Sequence, residues 1–312
     1  MKRILIAIVM TLMAVVASAE VPVTLTTTTG EIYGTLTVPD NASRTVVLII
    51  AGSGPTDRNG NSVAGISTNA YKMLADSLAA HGYASLRYDK RGIASSAAAG
   101  TDESQLTFDA YIEDAAAWVD LLVADERFDR VVLAGHSEGG LIALVAAKRT
   151  EQVAAVITLA GVGEAIDATL RRQLATQPEP YKSECYRIID ELKAGRKVAE
   201  VKPELAVLFR ESVQPFLISQ MRYEPAAEAR ALKVPLLVVQ GTTDIQINLN
   251  DAIKLSTSNF TAKLAIIKDM NHVLKPCASL DQQAQMMTYI NSSTALAPTL
   301  VPTLAGFLNE LK

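Results

Sequence analysis

Val131-Val132-Leu133-Ala134-Gly135-His136-Ser137-Glu138-Gly139-Gly140 is the stretch that decides the fold, because four apolar residues with a β-branched bias lead into a Gly-x-Ser-x-Gly pentad. A helix-forming run, Leu141 to Lys148, follows it. The pattern reads as a buried strand that turns sharply into a helix with a serine at the corner. At such a corner Ser137 must adopt a strained backbone that exposes its hydroxyl, and Gly135 and Gly139 must be small enough for strand and helix to pass closely. Gly140 is expected to remove another side chain at the same crossing. A serine between glycines also occurs in plain turns, so the weight rests on the flanking strand and helix.

Outward from this corner the chain alternates. Val21 to Thr26 and Ile32 to Val38 are alternating runs broken at Gly30, an antiparallel hairpin at a sheet edge. Thr45 to Ala51 is a continuous β-branched run suited to a strand buried on both faces. Helix Tyr71 to His81, strand Tyr83 to Tyr88, helix Tyr111 to Ala124, strand Arg130 to Ala134 and strand Val153 to Ala160 follow. This rhythm predicts a mainly parallel sheet with helices on both faces. It stops at Gly161: to about Arg230 the sequence carries helical patterns, Tyr186 to Lys193 and Phe209 to Tyr223, punctuated by Pro178, Pro180, Pro203, Pro215 and Pro225. That stretch is too long for a plain loop, and residues 161–230 are expected to form an inserted helical cap. The sheet resumes at Pro235 to Gln240, with a helix near Asn250 to Ser256, a strand Ala262 to Lys268 and a closing helix near Val301 to Lys312.

The first nineteen residues stand apart. Lys2 and Arg3 precede an apolar run, Ile4 to Val16, and Ala17-Ser18-Ala19 fits a cleavage site before Glu20, so residues 1–19 are read as an export signal and 20–312 as one domain. The run is shorter than the ~20 residues that cross a bilayer, which favours cleavage over a retained anchor and leaves no stable membrane insertion. The net charge is −4 for the whole chain, and losing Lys2 and Arg3 makes it two charges more negative. With no basic cluster, nucleic acid is not an expected partner. The two cysteines, Cys185 and Cys277, would meet an oxidising compartment, where a disulfide would tie cap to site; the alternative is two unpaired thiols.

A serine nucleophile needs a base, and the base needs a group that fixes its tautomer. Of three histidines, His136 occupies the variable position of the corner and His81 precedes the glycine that ends a helix. His272, in Asp269-Met270-Asn271-His272, follows the last strand and is the candidate base. The acid should follow another strand between serine and histidine, and Gln240-Gly241-Thr242-Thr243-Asp244 places Asp244 there; Asp251 reads as an early-helix residue and Asp269 as a turn residue. The backbone N–H groups of Ser53 and Glu138 are the candidate oxyanion donors, Ser53 lying in the glycine-rich loop Ala51 to Gly60. That loop lacks the Gly-Lys-Ser/Thr ending of a phosphate cradle.

Taken together, the corner motif, Gly241-Thr242-Thr243-Asp244-Ile245-Gln246 and Met270-Asn271-His272 resemble the α/β-hydrolase superfamily over essentially the whole mature chain. Ala51-Gly52-Ser53-Gly54-Pro55 and Tyr88-Asp89-Lys90-Arg91-Gly92 resemble the exported serine aminopeptidase S33-like or lysophospholipase-like branch. The resemblance implies an eight-stranded α/β-hydrolase sheet, a helical cap after the sixth strand, and hydrolysis of an ester, thioester or amide with neither metal nor cofactor. Two departures stand out: Ala51 where many members carry histidine, and Ile93-Ala94-Ser95-Ser96 where relatives commonly have a second glycine. Asp89 and Arg91 are read as structural, pairing near the site entrance, and Lys90 as solvated.

The expected partner is a small-molecule acyl ester or amide, and the expected reaction is carboxylic ester hydrolysis with short to medium acyl groups. An aminopeptidase, an acyltransferase on the same residues and a non-catalytic binding protein are the alternatives. Leu205, Val207, Leu208, Phe209, Phe216, Leu217, Ile218, Met221 and Tyr223 either line an acyl pocket or pack the cap internally. An aminopeptidase would need an acid for the free amine, for which Glu184, Glu204 and Glu211 are candidates.

Overall fold

The computed structural model describes residues 18–311. The hairpin is formed by β1 (Ser18–Thr27) and β2 (Gly30–Pro39), paired antiparallel from Ser18 opposite Pro39 to Thr27 opposite Gly30. The remaining strands of the main sheet are β3 (Thr45–Ile50), β4 (Ala84–Tyr88), β5 (Arg130–His136), β6 (Val153–Leu159), β7 (Leu236–Gly241) and β8 (Lys263–Ile267). They make one eight-stranded sheet in the order β1-β2-β4-β3-β5-β6-β7-β8, antiparallel at β1–β2–β4 and parallel from β4 to β8. The expected leader lies almost wholly outside the described residues, and only its last two, Ser18 and Ala19, appear, at the start of β1.

Every residue of β3 and of β7 is buried because helices cover both faces. Successive side chains alternate between two cores. Leu48, Leu133 and Val238 face α2 (Phe108–Val123) and α3 (Glu138–Arg149), packing with Phe108, Trp118 and Leu144. Val47, Val132 and Val239 face the opposite way, onto Leu74 and Leu78 of α1 (Ala70–Ala80) and Leu304 and Phe307 near the C-terminus. Thr107 starts α2 by accepting a hydrogen bond from the Ala110 N–H.

Between β6 and β7 the chain is helical: α4 (Ile166–Leu174), α5 (Tyr181–Lys193), α6 (Ala206–Phe209), α7 (Gln214–Gln220) and α8 (Pro225–Ala231). Cys185, Ile188, Leu192, Leu205, Phe209 and Met221 bury one another in a core of their own. The single helix expected over Phe209 to Tyr223 is instead a break between α6 and α7. Pro215 fits only the first turn of a helix, and the buried Gln214 amide caps the break, donating to the carbonyls of Val198 and Phe209 and accepting from the Val198 N–H. After β7 come α9 (Leu249–Ser258), α10 (Gln282–Tyr289) and α11 (Leu300–Glu310). The apolar pattern did not announce α10, because Met286 and Met287 are exposed; its one signal is Asp281, whose side chain caps it at Ala284.

Candidate active site

The corner between β5 and α3 puts Ser137 at φ 54°, ψ −121°, a left-handed conformation that a non-glycine residue holds only under constraint. The constraint is close packing. A Cβ on Gly135 would lie 2.0 Å from the Gly139 carbonyl oxygen, and one on Gly139 would lie 2.4 Å from that of Ile50. Gly140 differs from expectation: a Cβ there would meet nothing nearer than 3.4 Å, an ordinary contact, so the crossing needs two glycines and not three.

His272 sits in the loop after β8, and its Nδ1 lies 2.8 Å from Asp244 Oδ2. Asp244, in the loop after β7, is held from every side: Oδ1 accepts from the N–H groups of Gln246 (2.8 Å) and Ile247 (2.9 Å), and Oδ2 also accepts from Gln240 Nε2 (3.1 Å). Burial alone would raise this carboxyl's pKa, but the neighbouring His272 and the hydrogen bonds outweigh it and hold the group below the usual carboxylate range. Neither rival acid stands here. Asp251 belongs to the capping box of α9 and accepts from the Gly163 N–H, and Asp269 turns the chain at φ 57°. His81, exposed at the end of α1, places its ring Nδ1 2.9 Å from the Ser77 carbonyl oxygen.

Ser53, Ser137 and His272 line one cavity of about 310 Å³. Among the described residues no hydrogen bond joins the side chains of Ser137 and His272; bonds of this kind commonly tighten only with substrate in place. Val162, Ile166, Leu170 and Leu208 of the insertion form one side of the cavity, and Ile247, Val273 and Tyr289 another. Of the apolar insertion residues singled out from sequence, only Leu208 reaches the cavity. Leu205, Phe209, Leu217 and Met221 pack the insertion's own core, Val207 is exposed, and Phe216 joins the core under α2.

His136 was missed as a functional neighbour. Buried beneath the corner, it donates from Nε2 to the His272 carbonyl oxygen (2.7 Å), which leaves Nδ1 to accept from Tyr71 Oη (2.8 Å). Tyr71 Oη in turn accepts from the Gly52 N–H (3.1 Å). Burial, and then the nearness of His272, push the His136 pKa down to about 3, so the ring is neutral at pH 7. A histidine closing the apolar run Val131 to Gly135 was the available signal.

The glycine-rich loop after β3 is pressed against Ser137, since a Cβ on Gly52 would lie 3.1 Å from Ser137 Cβ. Lys90 is not solvated: it is 1% exposed, and its Nζ donates to the Gly52 carbonyl oxygen at 2.6 Å. Nor do Asp89 and Arg91 pair with each other. Asp89 receives Arg58 through its backbone N–H (2.7 Å) and guanidinium (2.8 Å), while Arg91 binds Asp114 on α2. Where relatives commonly carry a second glycine, Ala94 takes the left-handed φ of 45° itself. Cys185 and Cys277 are unpaired, the first buried inside the insertion.

Comparisons with known proteins agree with this architecture. The family model described as serine aminopeptidase, S33, matches residues 64–212. The esterase EstD of Thermotoga maritima is 27% identical over 255 residues, which are 77% of this chain, and the match spans only 57% of that relative's length. Among solved structures, the α/β hydrolase GrgF from Penicillium sp. sh18 superposes with a TM-score of 0.61 at 19% identity, covering 94% of this chain and 98% of the other. An esterase from Pyrococcus furiosus gives 0.58 at 16% identity, covering 94% and 93%. Est1E from Butyrivibrio proteoclasticus with ferulic acid bound gives 0.57 at 17%, covering 90% and 95%. The strand order, the serine corner and these likenesses converge on one architecture: the chain has the α/β-hydrolase fold.

Proposed function

We propose that the protein is a serine hydrolase of carboxylic esters with short to medium acyl groups. Ser137 attacks the ester carbonyl, His272 takes its proton and returns it to the leaving alcohol, and Asp244 holds His272 in the tautomer that accepts at Nε2. The Ser53 and Glu138 N–H groups receive the tetrahedral oxyanion. Water then releases the acyl group by the same steps in reverse order. The observation that carries this reading is the strained Ser137 sharing a cavity with a histidine fixed by a buried carboxylate.

Ester rather than aminoacyl substrate is supported by the cavity lining, which is mostly apolar and, among the described residues, contains no Asp or Glu to hold a free amine. Glu184, Glu204 and Glu211 are absent from it. The leader-like residues 1–19 support export to the periplasm or beyond the cell.

The test is to treat the protein and Ser137→Ala with a fluorophosphonate probe, then assay p-nitrophenyl esters beside aminoacyl amides. Labelling of Ser137 with ester turnover is expected, and Ser137→Ala should lose kcat by a factor on the order of 10⁶. Amide turnover alone would replace the esterase reading with a peptidase, and absence of labelling in folded protein would refute the mechanism.

A further inference from the structure

We propose that Lys90 is a positioning residue of the oxyanion hole, holding the Gly52–Ser53 peptide so that its N–H is aimed at the oxyanion formed on Ser137. The inference rests on the serine-hydrolase reading above and adds to it a residue that touches neither substrate nor triad.

The geometry is that of a single rigid unit. A trans peptide is planar, with its carbonyl and N–H pointing in opposite directions, so whatever fixes the carbonyl fixes the N–H as well. Lys90 Nζ binds the Gly52 carbonyl oxygen at 2.6 Å. The N–H on the other side of that peptide belongs to Ser53, which lines the cavity with Ser137, and it has no acceptor among the described residues. The Gly52 N–H is itself taken by Tyr71 Oη, so both polar groups of Gly52 are pinned where the loop touches Ser137. Glycines leave the loop flexible by nature, and a donor that swings free must be ordered anew at each turnover.

What the lysine costs supports the same conclusion. A buried ammonium is expensive unless well partnered. Besides the Gly52 carbonyl, Lys90 has Glu138 Oε1 at 3.5 Å and the face of Tyr111 at 4.8 Å. An apolar side chain would fill the space at lower cost if filling were all that was needed. Glu138 also supplies the second candidate oxyanion N–H from its backbone, and its Oε2 accepts from Gln220 of α7. One ion pair therefore ties the two halves of the oxyanion hole together and connects them to the insertion.

Lys90→Met tests this, with kcat and KM on a p-nitrophenyl ester measured alongside inhibition by an alkylboronic acid, which forms a tetrahedral adduct on the serine. Losing an oxyanion donor outright costs about 10²–10³ in kcat, so loss of its support is expected to cost about ten- to a hundredfold. KM should stay within about threefold, and boronate affinity should fall in step with kcat/KM. Unchanged kcat in a folded variant, or a rise in KM with boronate affinity intact, would overturn the proposal. Should Lys90→Met not fold, Lys90→Gln, which keeps a donor on a shorter stem, is judged by the same split. Wild-type protein that neither takes up fluorophosphonate nor cleaves ester would sink the hydrolase reading and this inference with it. An active, labelled wild type beside an unimpaired Lys90 variant would sink this inference alone.

Discussion

The crest of the sheet, where the loops after β3, β4, β5, β7 and β8 meet, and the insertion of α4 to α8 above it are built on different terms. At the crest, single backbone positions are specified: Ser137, Asp269 and Leu274 hold φ of 54°, 57° and 64°, and Gly135 and Gly139 admit no Cβ. Several polar groups there are held by specific partners, from Asp244 with its four donors to Lys90 on one carbonyl. The insertion instead buries apolar volume in a cluster of its own, and Gln220 on Glu138, Ser219 on the Phe108 N–H and Arg172 on Asp251 connect it with the body. Chemistry demands placement of individual atoms, whereas a cover demands shape, so the two regions should answer differently to substitution.

The largest expected difference is at Asp244. Asn in its place keeps an oxygen for the Gln246 and Ile247 N–H groups but turns an N–H toward His272 Nδ1, which then favours the tautomer unable to accept a proton from Ser137. Asp244→Asn is expected to lower kcat by about 10⁴, or about 5.5 kcal/mol of transition-state stabilisation, with the melting temperature moved only slightly. A loss below tenfold in folded protein would show that the acid lies elsewhere.

That contrast also explains what was legible in the sequence. The β-α rhythm, the serine corner and the loop positions of the candidate residues Asp244 and His272 could be read because each is announced by local patterning: a strand, then a loop residue of defined chemistry. The break between α6 and α7 was not, because Pro215 permits either a kink or a new start and only the Gln214 amide, placed by tertiary packing, decides between them. Lys90 and His136 escaped for the same reason. A lysine in a loop reads as solvated and a histidine between glycine and serine reads as variable, and nothing within ten residues of either reveals the Gly52 or His272 carbonyl that each one binds.

A middle-sized effect is expected in the insertion. Phe209 is fully buried among Cys185, Leu205 and their neighbours but does not line the cavity. Phe209→Ala should therefore remove about 3–5 kcal/mol of local packing, seen as an early transition in urea or heat. Turnover of a small acetyl ester should stay within a few-fold of wild type under conditions where the variant is folded. If kcat fell as far as it does for Asp244→Asn, crest and insertion would have to be regarded as one cooperative unit.

The smallest effect sharpens the comparison at the crest itself. His136 has a folded pKa of about 3 against about 6.5 for an unfolded histidine, so below pH 6.5 the unfolded chain takes up a proton that the native protein does not. By linkage this histidine's contribution is present above about 6.5 and is lost progressively as the pH falls toward 3. Between pH 6 and pH 5 the loss is close to one proton's worth, about 1 kcal/mol. His136→Gln carries no titrating group, so its unfolding free energy should fall less steeply over that interval, by about the same amount, when both are measured by urea titration at each pH. The absolute stability of the variant is expected to be lower, because the Tyr71 hydroxyl and the His272 carbonyl lose a shaped partner. Parallel slopes would mean that the ring is protonated in the folded protein across this range. The Nε2–His272 hydrogen bond would then belong to an imidazolium rather than to a neutral ring.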